Sequence, residues 1–293
     1  IQGNRIGTNA AGTGALGNAT GVLIENSENT IGGSAAGAGN VISGNSVGVS
    51  VTGTGATGNK VFGNFIGTNA ANSATIGNVS GLLITDAANN IVGGTTAGER
   101  NVISGNTGSG LGISGALATG NVVQGNYIGT NPAGGGAAGN GYRGVSVSSA
   151  SNTQILSNLI SGNGSECGIR IQQGSTGTIV RGNLIGTRAD GTVSIPNTNE
   201  AIQILANTGA APINSTIGGT GLGEANVIAH NGSYAVYING TGGGVTGHKI
   251  SGNQIYGNTN GGISLVSGGN DGYVTPTITS ATTTVISGTG TDG

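Results

Sequence analysis

An Asn-x-Ile series runs the length of this chain, at Asn4, Asn40, Asn64, Asn101, Asn126, Asn158, Asn183, Asn226 and Asn253. A second series stands between its members. It reads Gly/Ala–aliphatic–x–aliphatic and begins at Gly21, Gly48, Gly81, Gly110, Gly144, Gly168, Ala201, Ala235 and Gly262. Both recur about every 30 residues, a period that makes the chain an array of like units and not one irregular globule.

The unit is built from strands. Gly144-Val145-Ser146-Val147 alternates at period two. Asn152-Thr153-Gln154-Ile155 predicts a second short strand and Asn158-Leu159-Ile160 a third, before a Ser-Gly-Asn turn leads to Gly168. A helix is excluded because Gly interrupts every few positions; 65 of the 293 residues are Gly. Collagen is excluded because Gly does not fall at every third position. Disorder is excluded by the low charge, 6%, and the strict aliphatic periodicity.

One rung alone cannot bury its aliphatic side chains or pair its amides. A second rung about 4.8 Å above it does both, by parallel pairing. The prediction is therefore an all-β, right-handed parallel β-helix of about nine turns, a rod on the order of 45 Å long. Val22, Val49, Leu82, Leu111, Val145, Ile169, Ile202, Val236 and Ile263 form one inward column. Ile24, Val51, Ile84, Ile113, Val147, Ile171, Ile204, Ile238 and Leu265 form the other. In Asn-x-Ile, Asn and Ile share a face, so Asn points inward and stacks as an amide ladder.

A second period spans two rungs. Ile-Gly-Thr at Ile6, Ile66, Ile128 and Ile185 precedes a long loop, while alternate rungs carry Ser-Gly-Asn at Ser43, Ser104 and Ser161. Gly-Gly insertions occupy 32–39, 93–100 and 218–225. The x of Asn-x-Ile is mostly apolar and faces outward: either the insertions fold over it or it makes a lateral contact face.

The combination Gly-Asn-Val-Ile-Ser-Gly-Asn, Gly-Asn-x-Ile-Gly-Thr-Asn and Asn-Thr-Ile-Gly-Gly resembles secreted bacterial right-handed parallel β-helix repeat proteins, pectate-lyase-like in fold and adhesin-like. The resemblance covers residues 1–267 and implies an extracellular or cell-surface location. Residues 268–293 read as a linker and the truncated start of a following β-rich module, with strands in 274–281 and 282–288. The chain begins mid-repeat and reads as a fragment or mature portion.

Net charge of -2 and the lack of a basic stripe exclude nucleic acid as a partner. No apolar run reaches the ~20 residues of a membrane span. Gly268-Gly-Asn-Asp-Gly272 supplies too few oxygens for calcium, and His230 and His248 lack partners at metal spacing. The reading implies no metal and no cofactor. Cys167 reads as a small wall residue, and the outward columns lack the repeated Thr of an ice-binding face.

The outward column of the first strand is bland until Ser146, then reads Arg170, Gln203 and Tyr237. The residues just before that strand change with it: Arg143, Glu200 and Tyr234. With Tyr142 and Glu166, these side chains form a candidate glycan-binding face; the plainer reading is a set of surface ion pairs. In pectate-lyase-like proteins polysaccharide commonly lies on this face. Glu166 and Glu200, on neighbouring rungs, are the one pair that could flank a glycosidic bond. The predicted function is a non-catalytic stalk or adhesin-like module binding glycan along this face. The alternative is a polysaccharide-active lyase or glycoside hydrolase. Flanking domains or lateral self-association are further partners the array allows.

Overall fold

The computed structural model describes residues 1–69, 75–206, 209–272, 277–281 and 286–289. It is a right-handed parallel β-helix with three strands in each turn. Two sheets have nine strands and the third has eight. The short-strand sheet starts with Arg5–Ile6 and Val41–Ile42 and ends with Gln254–Tyr256. The long-strand sheet runs from Thr20–Ile24 to Gly261–Val266, and the third sheet from Thr30–Gly32 to Lys249–Ser251. Every pairing within them is parallel and like residues meet in register, as in Leu111↔Val145↔Ile169.

The register follows from the repeat. Aliphatic side chains at alternate positions of each strand all enter one core, so Ile42 and Ile66, Val49 and Leu82, and Val61 and Val92 belong to a single cluster. A slip of one residue would turn a whole strand's apolar set outward. Both inward columns are buried except at the last turn. There Ile263 is 46% exposed and Leu265 half-buried, because among the described residues no further rung lies over them.

The Asn-x-Ile asparagines form the expected ladder. Each amide donates to the Oδ1 of the next Asn, from Asn4 through Asn40 and Asn64 to Asn253, at 2.8–3.0 Å. From Asn40 onward each amide also reaches back to a carbonyl of the rung before, as Asn126 does to Val92 O at 2.8 Å. One Asn per rung was predicted, but a second unbroken ladder runs through Asn18, Asn45, Asn78, Asn106, Asn140, Asn163, Asn197, Asn231 and Asn258. It holds the corner before the long strand. A third links Asn29, Asn59, Asn90 and Asn121. Beyond Asn121 this corner changes character. Thr153, Thr178, Ser215 and His248 follow, and backbone bridges such as Thr119↔Ser151↔Thr176 take over the pairing. The hydroxyls of Thr153, Thr178 and Ser215 are buried there without a partner.

The two-rung period has a physical basis. Ser104 Oγ donates to Thr130 O at 2.8 Å and accepts Gly129 N–H at 3.0 Å, so each Ser-Gly-Asn rung clasps the following Ile-Gly-Thr rung. Gly129 has φ of 90°, and a Cβ there would strike Ser161 O. The loops after Ile128 and Ile185 fold along the axis over the x column. Ala189 N–H bonds Gly134 O at 3.0 Å, joining loops two rungs apart, and Tyr256 Oη reaches Gly191 O at 2.9 Å. Val41, Val102 and Leu159 are buried, and Phe65, Tyr127, Leu184 and Val227 half-buried, so this column is largely covered.

The turn Gly269–Gly272 closes the third sheet. Asn270 Oδ1 accepts His248 N–H at 2.7 Å, its amide returns to His248 O at 3.0 Å, and Asp271 Oδ2 accepts Gly247 N–H at 3.1 Å. Asn270 thus occupies the ladder position after His248. Thr277–Ala281 then pairs antiparallel with Ile286–Thr289. The remainder of the strands expected in 274–281 and 282–288 lies outside the described residues.

Candidate functional site

The long-strand wall owes its site to chain length at one corner. Asn18, Asn45 and Asn78 stand four residues before the inward Val22, Val49 and Leu82. Asn106 and Asn140 stand five before Leu111 and Val145, and Asn163 stands six before Ile169. The second ladder pins one end of each corner and the core pins the other. Extra residues must therefore bulge outward, and they carry Tyr142 and Glu166 with them.

Four of the eight predicted residues meet at one carboxylate. Glu166 accepts from Tyr142 Oη, Arg143 Nε and Arg170 Nη1. Arg143 also lies over the Tyr142 ring, with Cζ 4.5 Å from its centroid. Burial works against the Glu166 charge, but the bonds from Arg143, Tyr142 and Arg170 outweigh it and hold its pKa down at about 2. The same bond to Glu166, with burial, raises the Tyr142 hydroxyl above its ordinary value. Arg170 belongs to the outward column yet is only 7% exposed, and its Nε is buried without a partner. Its link to Glu166 lays the guanidinium along the wall.

The other four do not join this hub. Arg170, Gln203 and Tyr237 are in register on successive strands. Tyr234 and Tyr237 stack on each other with centroids 6.1 Å apart and planes 22° from parallel. Glu200 accepts from Ser233 Oγ at 2.9 Å, and Asn260 donates to that hydroxyl at 3.2 Å. Ser233 and Asn260 occupy the same corner and were not singled out from the sequence; their signal is the same displaced spacing from Asn231 and Asn258. The plainer expectation of ion pairs on this wall, Arg170 with Glu200 or with Glu166, resolves to Glu166 among the described residues.

A general acid for glycoside hydrolysis needs a raised pKa. Glu166 has the opposite, so it stays ionised throughout the neutral range with its oxygens occupied. Cys167, next to it, is fully buried, and burial pushes its thiol up to about 12, far from a nucleophilic thiolate. His230 contacts Tyr256 edge-on, with centroids 5.4 Å apart. Among the described residues, no group of three His, Cys, Asp or Glu side chains could hold a metal, and no helix is long and apolar enough to cross a membrane.

No protein-family profile and no curated protein matches the chain. Solved structures share its fold at low identity. A mutant of the periplasmic alginate epimerase AlgG is 14% identical, with a TM-score of 0.46 over 84% of this chain and 48% of its own. The A-module of the Azotobacter vinelandii mannuronan C-5 epimerase AlgE4 is 19% identical, with a TM-score of 0.42 over 83% and 53%. The alginate lyase from Paenibacillus sp. is 16% identical, with a TM-score of 0.39 over 85% and 88%. The chain spans about half the length of the epimerases. At these identities the likeness is one of fold.

Proposed function

We propose that this β-helix binds a polysaccharide along the outer wall of its long-strand sheet, between Tyr142 and Tyr237. The observation that carries the reading is the pairing of two features on one wall. One is a fixed cationic hub, with Arg143 and Arg170 oriented by Glu166. The other is a stacked tyrosine pair on a single strand, Tyr234–Asn239, two strands further along the same sheet than Arg170. The hub has two arginines against one carboxylate, so it keeps one positive charge. Tyr rings supply flat apolar surface with a hydroxyl at the edge, and the rung spacing of about 4.8 Å suits a chain of sugar units. Placement outside the cytoplasm, at the cell surface or beyond it, belongs to the same proposal.

The sequence allowed a non-catalytic adhesin-like stalk and, alternatively, a polysaccharide-active enzyme. The structures sharing the fold are alginate epimerases and an alginate lyase. That company lies nearer the polysaccharide-active alternative, so turnover on this wall is the second reading. One experiment reads both. Acidic and neutral polysaccharides are incubated with the protein, with and without calcium, and both retention and product release are measured. Binding is expected, and it weakens at least tenfold in Tyr234→Ala and Arg143→Gln. Product release that disappears in Glu200→Gln would establish turnover in place of simple binding. Retention of none of the polysaccharides would overturn both readings.

A further inference from the structure

A second polar groove lies on another side of the molecule, at the corner between the third sheet and the short-strand sheet. It is an opening of ≈ 180 Å³ lined by Gly94, Thr95, Thr96, Arg100, Gln124, Gly125 and Ser157. Three rungs contribute to it. Its floor is bare backbone, because a Cβ at Gly125 would strike Gly94 O.

Arg100 is the distinctive member. Its Cζ sits 4.0 Å from the Tyr127 ring centroid, and its Nε donates to Gly125 O at 3.3 Å. Two contacts therefore hold the guanidinium plane. Among the described residues its terminal nitrogens have no carboxylate, unlike those of Arg170 and Arg181. The nearest acidic residue in sequence, Glu99, is spent on Thr96, accepting from its N–H and its hydroxyl at 3.0 Å each. The side chains of Thr95, Gln124 and Ser157 make no hydrogen bond among the described residues. One oriented cationic fork and three uncommitted neutral groups thus converge on a single opening.

The geometry points to a binding site for a saccharide unit bearing a single negative charge, a carboxylate or a sulfate ester. The fork of an arginine matches either group through two parallel N–H···O bonds. One cation with no second positive side chain in the lining balances one charge and falls short of a phosphate dianion. The hydroxyls of Thr95 and Ser157 and the amide of Gln124 suit sugar hydroxyls. Because stacking on Tyr127 fixes the plane beforehand, little side-chain freedom is lost on binding. The site is separate from the Tyr142–Tyr237 wall and stands whether or not that wall binds glycan.

The test is a nuclear magnetic resonance titration of the whole chain, following the backbone amides and the Arg100 Nε–H. The probes are a glucuronate-containing disaccharide, a sulfated disaccharide, their neutral parent and sodium sulfate. Saturable shifts at 94–100, 124–127 and 157 are expected with at least one charged disaccharide and not with the neutral parent. Arg100→Gln is expected to weaken binding at least tenfold, and Tyr127→Leu, which keeps the charge and removes the stack, several-fold. Tyr234→Ala, which acts only on the other wall, is expected to leave the shifts at 94–100, 124–127 and 157 unchanged. Binding that survives Arg100→Gln, equal binding of the neutral parent, shifts confined to the Tyr142–Tyr237 wall, or saturation by sulfate equal to that by the sugars would each overturn the proposal. Far-ultraviolet circular dichroism of the variants separates loss of binding from loss of fold.

Discussion

Replacing Asn126 with Ala removes one step from the middle of the first ladder. Its Oδ1 accepts the backbone N–H of Asn101 at 3.3 Å and the Asn101 amide at 2.9 Å. Its Nδ2 donates to Val92 O at 2.8 Å, Gln124 O at 3.1 Å and Asn158 Oδ1 at 3.0 Å. The site is fully buried, so water cannot replace these bonds. Alanine leaves the Asn101 N–H without an acceptor and takes a donor from Val92 O and from Asn158. Two or three such groups at ~1–3 kcal/mol each put the cost at about 2–9 kcal/mol. Asn4 stands at the exposed start of the same ladder, and Asn4→Ala should cost under about 1 kcal/mol. Urea denaturation followed by circular dichroism gives the two numbers. Hydrogen exchange at residues 91–93 and 101–103 shows whether the damage is centred on the broken step. A cost for Asn126→Ala within about 1 kcal/mol of zero would refute the ladder as the element that holds this corner.

Four further outcomes are expected. Burial lowers the His248 pKa to about 4, while Asp271 alone among the charged groups favours its protonation; Ser215 N–H also needs His248 Nδ1 as an acceptor, at 3.2 Å. The unfolded chain takes up this proton near pH 6.5 and the folded chain does not. Stability is therefore complete above that pH and falls by about 3 kcal/mol as pH drops towards 4; in His248→Asn, acid titration should lose this step. The Glu166 contribution has a separate window, lost only as pH falls from about 4.5 through about 2. Thr178→Val removes a buried hydroxyl that has no partner, so thermal unfolding should show it neutral or up to ~1 kcal/mol more stable. Gly129→Ala forces a Cβ into Ser161 O at φ of 90° and should cost more than ~2 kcal/mol, read from the urea midpoint.

The first ladder was legible because Asn shares parity with an Ile two residues on, so one strand's pleat fixes its direction. The second was not. Asn45, Asn106 and Asn163 looked like residues of tight Ser-Gly-Asn turns, and turn residues have no periodic face. Only the stacked rungs show them bonded to one another. The candidate wall divides the same way. Alternation placed Arg170, Gln203 and Tyr237 on one outward face, and the strand register agrees. An Arg170–Glu166 pair was one of the ion pairs it allowed, but it did not foresee that Glu166 would gather Tyr142 and Arg143 as well, or that Arg170 would be buried. Those contacts depend on how a six-residue corner bulges when both its ends are held.

By itself the sequence determined the parallel β-helix, its approximate number of turns and which aliphatic residues face the core. These are properties of a repeat: each rung meets a near-copy of itself, so a pattern along the chain becomes a column across it. Tertiary structure alone decided the partners of residues outside the repeat. Examples are the three donors on Glu166, the Tyr127 seat of Arg100 and the capping of His248 by Asn270. Such contacts join irregular corners and loops from different turns, and no period in the chain encodes their distance.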